Sequence, residues 1–225
     1  IAYEKAGIIK NDIPVVISEK QNEVNDVFLK TAKEKTAPLF FAEEEVTKKY
    51  DSDLLGNYQQ NNIKAAVQTI RILKNKGYKI SDTQIAKGLL HVVQNTGLLG
   101  RWQHLGNNPT VICDTAHNKE GLTYVLKQLV EEEYNKLHIV LGVVNDKKLE
   151  TILNLFPDTA QYYFCKPDIP RGLEAKLLQK EAILFNLEGK IYASVNEAFK
   201  AAKKNAKSDD LIFVGGSTFV VAEVV

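Results

Sequence analysis

Hydrophobic residues in the second half of the chain follow a regular order, in which a short apolar run precedes a longer amphipathic stretch. The apolar runs are nearly continuous in Val, Ile and Phe, as expected of strands with both faces covered. Strands that alternate with amphipathic helices predict βαβ units and a mostly parallel sheet. The predicted strands are 109–114, 136–144, 160–165, 190–193 and 210–216, and the predicted helices are 119–134, 146–156, 172–185, 194–206 and 217–225.

The first hundred residues show a looser pattern without this strict alternation. The change of pattern occurs at TGLLG, residues 96–100, so we place a domain boundary there. The predicted domains are 1–97 and 98–225. The elements predicted in the first domain are strands 13–18 and 38–42 and helices 22–35, 57–78 and 81–93.

Local signals mark several helix ends. Gly77 predicts the end of helix 57–78, because glycine commonly terminates helices. Ser81 with Gln84, and Ser194 with Glu197, have the spacing of a capping box. Helices should therefore begin directly after each serine.

Composition and charge narrow the class of protein. Hydrophobic residues make up 44% of the chain and charged residues 25%, the balance of a soluble globular protein. The net charge of +1 provides no broad basic surface for nucleic acid. No apolar run approaches the roughly 18 residues of a membrane span, and two cysteines suit reduced cytosolic thiols. The sequence predicts a cytoplasmic protein that binds neither nucleic acid nor membranes.

The chain begins with Ile1 and contains no methionine. We expect from this that it is a piece of a longer protein. The alternative is that modified methionines were lost from the sequence, in which case some local spacings are one residue short.

Polar residues follow the predicted strands at their carboxyl ends, where open α/β sheets bind ligands because helix N-termini and loop amides converge there. The opposite edge should hold Pro109, Lys136 and Asp209, which have the character of ordinary turn residues. The predicted ligand edge collects Asp114, His117 and Asn118 after the first of these strands, Asn145, Asp146 and Lys147 after the second, Lys166, Asp168 and Arg171 after the third, and Gly215, Gly216 and Ser217 after the last.

The stretch VICDTAHNKEGL, 111–122, contains three residue types that bind metals. A zinc site needs a third and usually a fourth ligand at recognisable spacing, and Cys165 and the remaining histidines form no such pattern. Cys113 lies inside a predicted strand, which favours a buried thiol that packs as a small hydrophobe. Asp114 is open to a second interpretation, as a loop residue that accepts backbone amides.

The stretch VGGST, 214–218, also allows two interpretations. Two glycines before a serine at a helix start can point backbone amides at a carboxylate or phosphate. Ser217 can equally be an ordinary helix cap after a glycine turn, and the residues alone favour this simpler interpretation. A G-x-x-x-x-G-K-[ST] phosphate loop occurs nowhere in the chain.

Four stretches together resemble the bifunctional folylpolyglutamate synthase/dihydrofolate synthase family of the ATP-dependent Mur ligase superfamily. D-x-A-H-N is typical of the whole superfamily, whereas EKAGIIK and G-x-Y-Q-x-x-N point to the folate branch. In order, the four stretches are IAYEKAGIIK at 1–10, LLGNYQQNN at 54–62, GLLGRWQHLGNNPTVICDTAHNKEG at 97–121 and DLIFVGGST at 210–218.

The resemblance implies a fold and a reaction. Residues 1–97 would be the carboxy-terminal part of a central ATP-binding domain of the P-loop type. Residues 98–225 would be a Rossmann-like glutamate ligase domain with a mostly parallel sheet. Family members use ATP to convert a substrate carboxylate to an acyl phosphate, which the amine of L-glutamate then attacks. The substrates would be folate or dihydropteroate, and the enzyme would be a cytoplasmic monomer.

The resemblance also implies residue roles. Lys5, as a carbamate, would help to hold Mg²⁺, which prefers oxygen ligands; a monovalent cation such as K⁺ is a further candidate. Asn62 would contact ATP, Arg101 would reach the ATP phosphates, and Asp114 would belong to the nucleotide site. The catalytic set implied is Lys5, Arg101 and His117, and the incoming glutamate would lie near His117 and Ser217.

In the family, the phosphate loop, the other magnesium ligands and most of the pterin site lie upstream of EKAGI. The resemblance therefore implies that this chain alone cannot ligate. Two alternatives stay open. One is a peptidoglycan Mur-type amino acid ligase, which shares the D-x-A-H-N motif. The other is a non-catalytic α/β binding module that kept the fold and lost the chemistry.

Overall fold

The chain forms two units in its computed structural model, which describes residues 2–145 and 148–225. Asp146 and Lys147, which the sequence assigns to the ligand edge, lie outside the described residues, as does Ile1. The amino-terminal unit comprises Ile1–Asp53 and Tyr58–Thr96, and the carboxy-terminal unit comprises Leu54–Asn57 and Gly97–Val225.

The segment Leu54–Asn57 belongs to the carboxy-terminal unit although it precedes the predicted boundary. Its backbone is held by the side chain of Gln128. The Asn57 N–H donates to Gln128 Oε1 at 2.7 Å, and Gln128 Nε2 donates to the carbonyl of Leu55 at 3.2 Å. A buried amide that pairs with two backbone groups satisfies polar groups that burial would otherwise leave without partners.

The amino-terminal unit contains a small parallel sheet in which Val15 pairs with Leu39. Ala6, Ile9 and Ala32 pack together in one apolar cluster, and Val46, Ile63 and Val67 belong to a second. Its strands are β1, Val15–Ile17, and β2, Leu39–Phe41, and its helices are α1, Ala2–Ala6; α2, Asn25–Glu34; α3, Ala42–Glu45; α4, Gln59–Asn75; α5, Asp82–Leu90; and α6, Val92–Thr96.

The predicted helix ends in this unit are confirmed. Gly77 follows α4 with a φ of +96°, a left-handed conformation that glycine adopts without strain. Ser81 accepts from the Gln84 N–H at 3.2 Å, and Gln84 Oε1 accepts from the Ser81 N–H at 2.8 Å. This reciprocal pair is the predicted capping box.

The carboxy-terminal unit contains the predicted mostly parallel sheet, with strand order β3-β4-β8-β5-β6-β7. All its strand pairs are parallel except that of β3 with β4. Its strands are β3, Gln103–Asn107; β4, Thr110–Cys113; β5, Leu137–Leu141; β6, Gln161–Phe164; β7, Gly189–Ile191; and β8, Leu211–Gly215. Its helices are α7, Lys119–Glu131; α8, Glu150–Leu153; α9, Ala175–Ile183; α10, Val195–Asn205; and α11, Thr218–Ala222.

Three details differ from the sequence expectation. Strand β3 was not predicted, because QHLGN is a partly exposed edge strand with a register shift between His104 and Gly106 rather than an apolar run. Helix α8 is short, since Leu155 and Phe156 donate to carbonyls three residues earlier in a tight final turn. Ser194 caps α10 as predicted, but Glu197 pairs with the Ala193 N–H instead of completing the box.

The topology places the ends of β4, β8, β5 and β6 along one edge of the sheet, as predicted. Strand β8 lies between β4 and β5, so the loops after β4 and β8 are neighbours. Helix α10 packs on one face, where Ala198 and Ala202 contact an apolar cluster that includes Ile212 and Val214. Within the described residues, no helix is long and apolar enough to span a membrane.

Candidate active site

The loops after β4 and β8 form the centre of the carboxyl edge. The Asp114 N–H donates to the carbonyl of Val214 at 3.2 Å, and the Gly142 N–H donates to that of Gly215 at 3.4 Å. These bonds continue the ladder beyond the three strands. The backbone therefore places Asp114, the first residue of the loop after β4, directly beside Val214 and Gly215 at the end of β8.

Asp114 is buried at the start of the first loop, with 1% of its surface exposed. Its Oδ2 accepts from the Trp102 N–H at 2.7 Å, and its Oδ1 accepts from the Ala116 N–H at 2.8 Å. This is the loop-residue interpretation that the sequence left open, and it satisfies both carboxylate oxygens with backbone donors.

Arg101 lies next to this loop and is half-buried. Its Nη1 donates to the hydroxyl of Thr115 and to the carbonyl of Gly100, the latter at 3.4 Å. The Thr115 N–H in turn donates to the carbonyl of Gly100 at 2.9 Å. The structure thus brings Arg101 and Asp114 together, as two parts of one hydrogen-bonded turn.

His117 and Asn118 occupy the exposed end of the same loop. His117 Nδ1 lies 3.0 Å from the carbonyl of Thr115, and a carbonyl can only accept, so Nδ1 carries the proton. Asn118 caps α7 by accepting from the Gly121 N–H at 2.9 Å. A Cβ on Gly121 would lie 2.9 Å from Asn118 Oδ1, so glycine permits this cap. The cap fixes the direction in which the loop leaves the helix.

The glycine turn after β8 packs closely against the end of β5. Gly216 has a φ of +91°, and a Cβ there would lie 2.6 Å from Leu141 Cδ1 and 2.7 Å from the carbonyl oxygen of Gly142. Ser217 is buried and accepts from the Phe219 N–H at 3.2 Å at the start of α11. The capping interpretation of Ser217 is therefore confirmed, and its role toward glutamate stays a prediction.

The cations predicted for this edge differ in their surroundings. The Arg171 guanidinium lies over the ring of Phe219 at 4.9 Å, one turn beyond the glycine pair. Lys166 forms an exposed ion pair with Glu174 at 2.6 Å. Arg171 therefore contacts α11, the helix that begins directly after the GGS turn, residues 215–217.

The thiol of Cys113 is a packed core group, as the sequence predicts. It is buried in the apolar cluster under α10, and burial, with a smaller contribution from the Asp114 charge, raises its pKa to about 12. Across residues 2–145 and 148–225, no three His, Cys, Asp or Glu side chains are arranged to hold a metal ion. The zinc interpretation thus has no ligand set in the described chain.

Lys5 and Asn62 belong to the amino-terminal unit. Lys5 is an exposed residue of α1, and Asn62 is an exposed residue of α4 whose Nδ2 donates to Gln59 Oε1 at 2.9 Å. A groove of about 430 Å³ in the same unit, lined by apolar residues of β1 and α4 with Lys10 and Lys76, includes neither of them.

Sequence reasoning missed a buried polar cluster at the opposite edge of the sheet. His138 Nδ1 lies 3.0 Å from the hydroxyl of Tyr163, and its Nε2 lies 3.3 Å from Asp210 Oδ2. Asn205 donates to the same hydroxyl at 3.1 Å. A histidine directly before the apolar run IVLGVV of the predicted strand 136–144 was the signal that could have revealed it.

The fold and this edge define a class of protein. It contains an α/β domain in which the carboxyl edge of the sheet combines a capped helix start, a glycine turn and an arginine-bearing turn. The chain belongs to the Mur ligase family, because the model of the Mur ligase glutamate ligase domain matches residues 100–218.

Relatives place the chain near the folate branch. It is 34% identical over 173 residues to the "Probable bifunctional folylpolyglutamate synthase/dihydropteroate synthase" of Haloferax volcanii, covering 76% of this chain and 20% of that protein. It is 28% identical over 240 residues to the dihydrofolate synthase/folylpolyglutamate synthase of Escherichia coli, covering all of this chain and 54% of that protein. The chain thus spans about half, or less, of the length of these relatives.

The solved structure of Escherichia coli FolC in complex with DHPP and ADP has a TM-score of 0.82 and 26% identity, covering 99% of this chain and 55% of that one. The "UDP-N-acetylmuramoyl-L-alanyl-D-glutamate--2,6-diaminopimelate ligase" of Zymomonas mobilis is 26% identical over 166 residues, covering 72% of this chain and 33% of that protein. The resemblance to the folate branch that the motifs predict is confirmed.

Proposed function

We propose that this chain is the carboxy-terminal portion of an ATP-dependent ligase that adds L-glutamate to folate, to dihydropteroate, or to both. The proposal rests on the match of the entire chain, both units included, to the dihydrofolate synthase/folylpolyglutamate synthase of Escherichia coli. Residues 1–97 would be the end of the central ATP-binding domain and residues 98–225 the glutamate ligase domain.

The proposed reaction has two steps. The γ-phosphoryl group of ATP is transferred to a carboxylate oxygen of the pterin substrate, which gives an acyl phosphate and ADP. The glutamate amine then attacks the acyl carbon, the C–N bond forms, and phosphate leaves. Arg101 is suited to the first step because its fixed charge offsets charge that develops on the phosphates. Asn62, an exposed amide on α4, would contact ATP, and Asp114 would belong to the nucleotide site.

His117 is suited to receive the incoming glutamate. Nδ1 donates to the carbonyl of Thr115, so in the neutral form of the ring Nε2 is the acceptor and can take a hydrogen bond from the amine. Ser217 lies in the neighbouring loop after β8, where the α11 start and the glycine turn would favour a carboxylate. Arg171, stacked over Phe219, provides positive charge beside this loop.

Magnesium and ATP are the proposed cofactor and co-substrate. Solved relatives contain ADP, or AMPPNP with a manganese ion, which supports use of a nucleotide with a divalent cation. Lys5 is exposed, so carbon dioxide can reach its amine, and a carbamate there would supply the oxygen ligand that Mg²⁺ prefers. K⁺ is proposed as a second, monovalent ion. A cytoplasmic monomer that binds neither nucleic acid nor membranes remains our expectation.

A coupled assay of ADP release tests the proposal. The protein encoded by the complete reading frame that contains this chain should release ADP only when glutamate and a pterin acceptor are both present. The isolated 225-residue chain should release none. Turnover by the isolated chain would contradict its assignment as a portion of the ligase. ADP release that needs a nucleotide-linked muropeptide instead of a pterin would favour the Mur-type alternative, and no release by the complete protein would favour the binding module.

A further inference from the structure

A short segment of the chain crosses between the two units. Residues up to Asp53 belong to the amino-terminal unit, Leu54–Asn57 belong to the carboxy-terminal unit, and the chain returns to the amino-terminal unit at Tyr58. It crosses for the last time between Thr96 and Gly97. We call Leu54–Asn57 the strap. The units are therefore joined by three peptide connections, two of which are the ends of the strap.

Gln128 of α7 fastens the strap to the carboxy-terminal unit. Its buried side-chain amide both accepts and donates. The Asn57 N–H donates to Gln128 Oε1 at 2.7 Å, and Gln128 Nε2 donates to the carbonyl of Leu55 at 3.2 Å. Gly56, between these two strap residues, is itself buried. One side chain therefore restrains three consecutive residues of the strap.

Asp53 fastens the chain on the other side, within the amino-terminal unit. It directly precedes the strap, and its two carboxylate oxygens accept from the N–H groups of Val92 and Val93, at 3.0 Å and 2.9 Å. These are the first residues of α6, which ends at Thr96, the last residue before the final crossing. Asp53 thus ties together the two segments from which the chain leaves the amino-terminal unit.

Gly97 has the properties of a hinge residue at that final crossing. It has a φ of +66°, and a Cβ there would meet no atom within 4 Å. Glycine has the widest choice of backbone conformations, and hinges are a few residues at the ends of elements that absorb changes in φ and ψ. The fastened strap and Gly97 together have the form of a hinge with few movable bonds.

We propose that Asp53 and Gln128 are the two fasteners of a hinge between the units, and that Gln128 is a positioning residue of the ligase. The reach of a linker grows with its number of free residues. When Gln128 releases the strap, the connection from Asp53 to Tyr58 becomes a free linker of four residues. The positioning role rests on the proposed function, in which ATP contacts Asn62 of one unit and glutamate lies near His117 of the other.

The first experiment measures distances between the units in the complete protein. A ketone-bearing amino acid in place of the exposed residues Lys33 and Lys204, one in each unit, carries a spin label for double electron–electron resonance. Q128M keeps the length of the side chain and removes both hydrogen bonds, which should raise the population with a released strap about fivefold to a hundredfold. The distance distribution should therefore broaden. D53N should broaden it as well, because an amide has one acceptor oxygen for two N–H groups.

The matched control is Q68M. Gln68 is a helical glutamine of α4 as buried as Gln128, and its Oε1 has no hydrogen-bond partner among the described residues. Q68M should leave the distance distribution unchanged. Hydrogen exchange separates the two fasteners, since the Asn57 amide should exchange faster in Q128M but not in D53N or Q68M. Distances as narrow in Q128M and D53N as in the wild type, or equally broad in Q68M, would overturn the hinge.

The last experiment tests the positioning role in the complete ligase. The proposed glutamate contacts, His117 and Ser217, both lie in the carboxy-terminal unit, so Q128M should lower kcat several-fold and leave the KM for glutamate unchanged. Q128E keeps the acceptor for the Asn57 N–H but loses the donor, so its kcat should be intermediate.

A wild-type kcat in Q128M, or an equal loss of kcat in Q68M, would overturn the positioning role. The distance measurement needs no ligase activity, so a failure of the proposed function leaves its result intact.

Discussion

The GGS turn after β8 gives the sharpest stability prediction. In G216A, the new Cβ would lie 2.6 Å from Leu141 Cδ1 and 2.7 Å from the carbonyl oxygen of Gly142. One of these neighbours is backbone at the end of β5 and cannot move aside easily. The φ of +91° adds conformational strain that an alanine does not tolerate as glycine does.

The two contributions can be given magnitudes. Left-handed strain costs an L-residue about 1–2 kcal/mol. Forcing a methyl group into a packed site costs about 1–3 kcal/mol. The free energy of unfolding of the carboxy-terminal unit should therefore fall by about 2–5 kcal/mol. Gly97 supplies the control, because it has a φ of +66° in the same unit but no neighbour within 4 Å of a Cβ. G97A should lose only the strain contribution, about 1–2 kcal/mol.

Urea unfolding followed by Trp102 fluorescence measures both variants. Trp102 is buried in the carboxy-terminal unit, so its emission reports the unfolding of that unit. If G216A is no less stable than G97A, the turn does not need its close approach to Gly142, and our account of why two glycines precede Ser217 is wrong.

Three further predictions concern groups away from the turn. Burial acts to raise the pKa of the Asp210 carboxyl, but the N–H groups of Lys207 and Lys136 and the ring of His138 outweigh it and hold the pKa below its usual 3.8. The contribution of the Asp210 carboxylate to stability is therefore complete above about pH 3.8 and is lost as pH falls through its folded pKa. D210N should lower the free energy of unfolding at neutral pH by about 1–3 kcal/mol. It should also make the free energy of unfolding less dependent on pH in acid. Burial raises the pKa of both thiols, so Cys113 and Cys165 should resist iodoacetamide in the folded chain and react after unfolding, as mass spectrometry can follow. N118A should destabilise the carboxy-terminal unit by about 1 kcal/mol in urea unfolding, because it removes the cap of α7.

Each of these predictions has a contrary result. A D210N stability profile parallel to that of the wild type in acid would mean that the carboxylate contributes nothing through its charge. Rapid alkylation of either cysteine in the folded chain would mean that the core opens readily. An N118A variant as stable as the wild type would mean that the bond to the Gly121 N–H is replaced by water without loss.

The periodic pattern of hydrophobic residues predicted the parallel sheet because strand and helix signals are local. The same local reasoning could not predict β3, whose pairing with β4 depends on a partner rather than on its own apolar residues. It also assigned the segment Leu54–Asn57 to the first domain, since nothing in those four residues reveals that Gln128 holds them in the carboxy-terminal unit.

The sequence also predicted part of the candidate site. The position of Asp114, His117 and Ser217 at one sheet edge followed from strand direction alone. The bond from Trp102 to Asp114 did not, because it joins residues twelve positions apart through a left-handed turn. The roles toward ATP and glutamate came from the resemblance and not from spacing, so they remain predictions to be tested.

We propose that this chain forms part of a ligase that transfers glutamate to a pterin acceptor. The most direct measurement incubates the complete protein with ATP, magnesium, L-glutamate and an equal mixture of dihydropteroate, folate and a nucleotide-linked muropeptide, and identifies the products by mass spectrometry. We predict that one or more glutamate residues are added to dihydropteroate, to folate, or to both, and only when ATP is present. Glutamate joined to the muropeptide alone, or no product from any acceptor, would contradict this proposal.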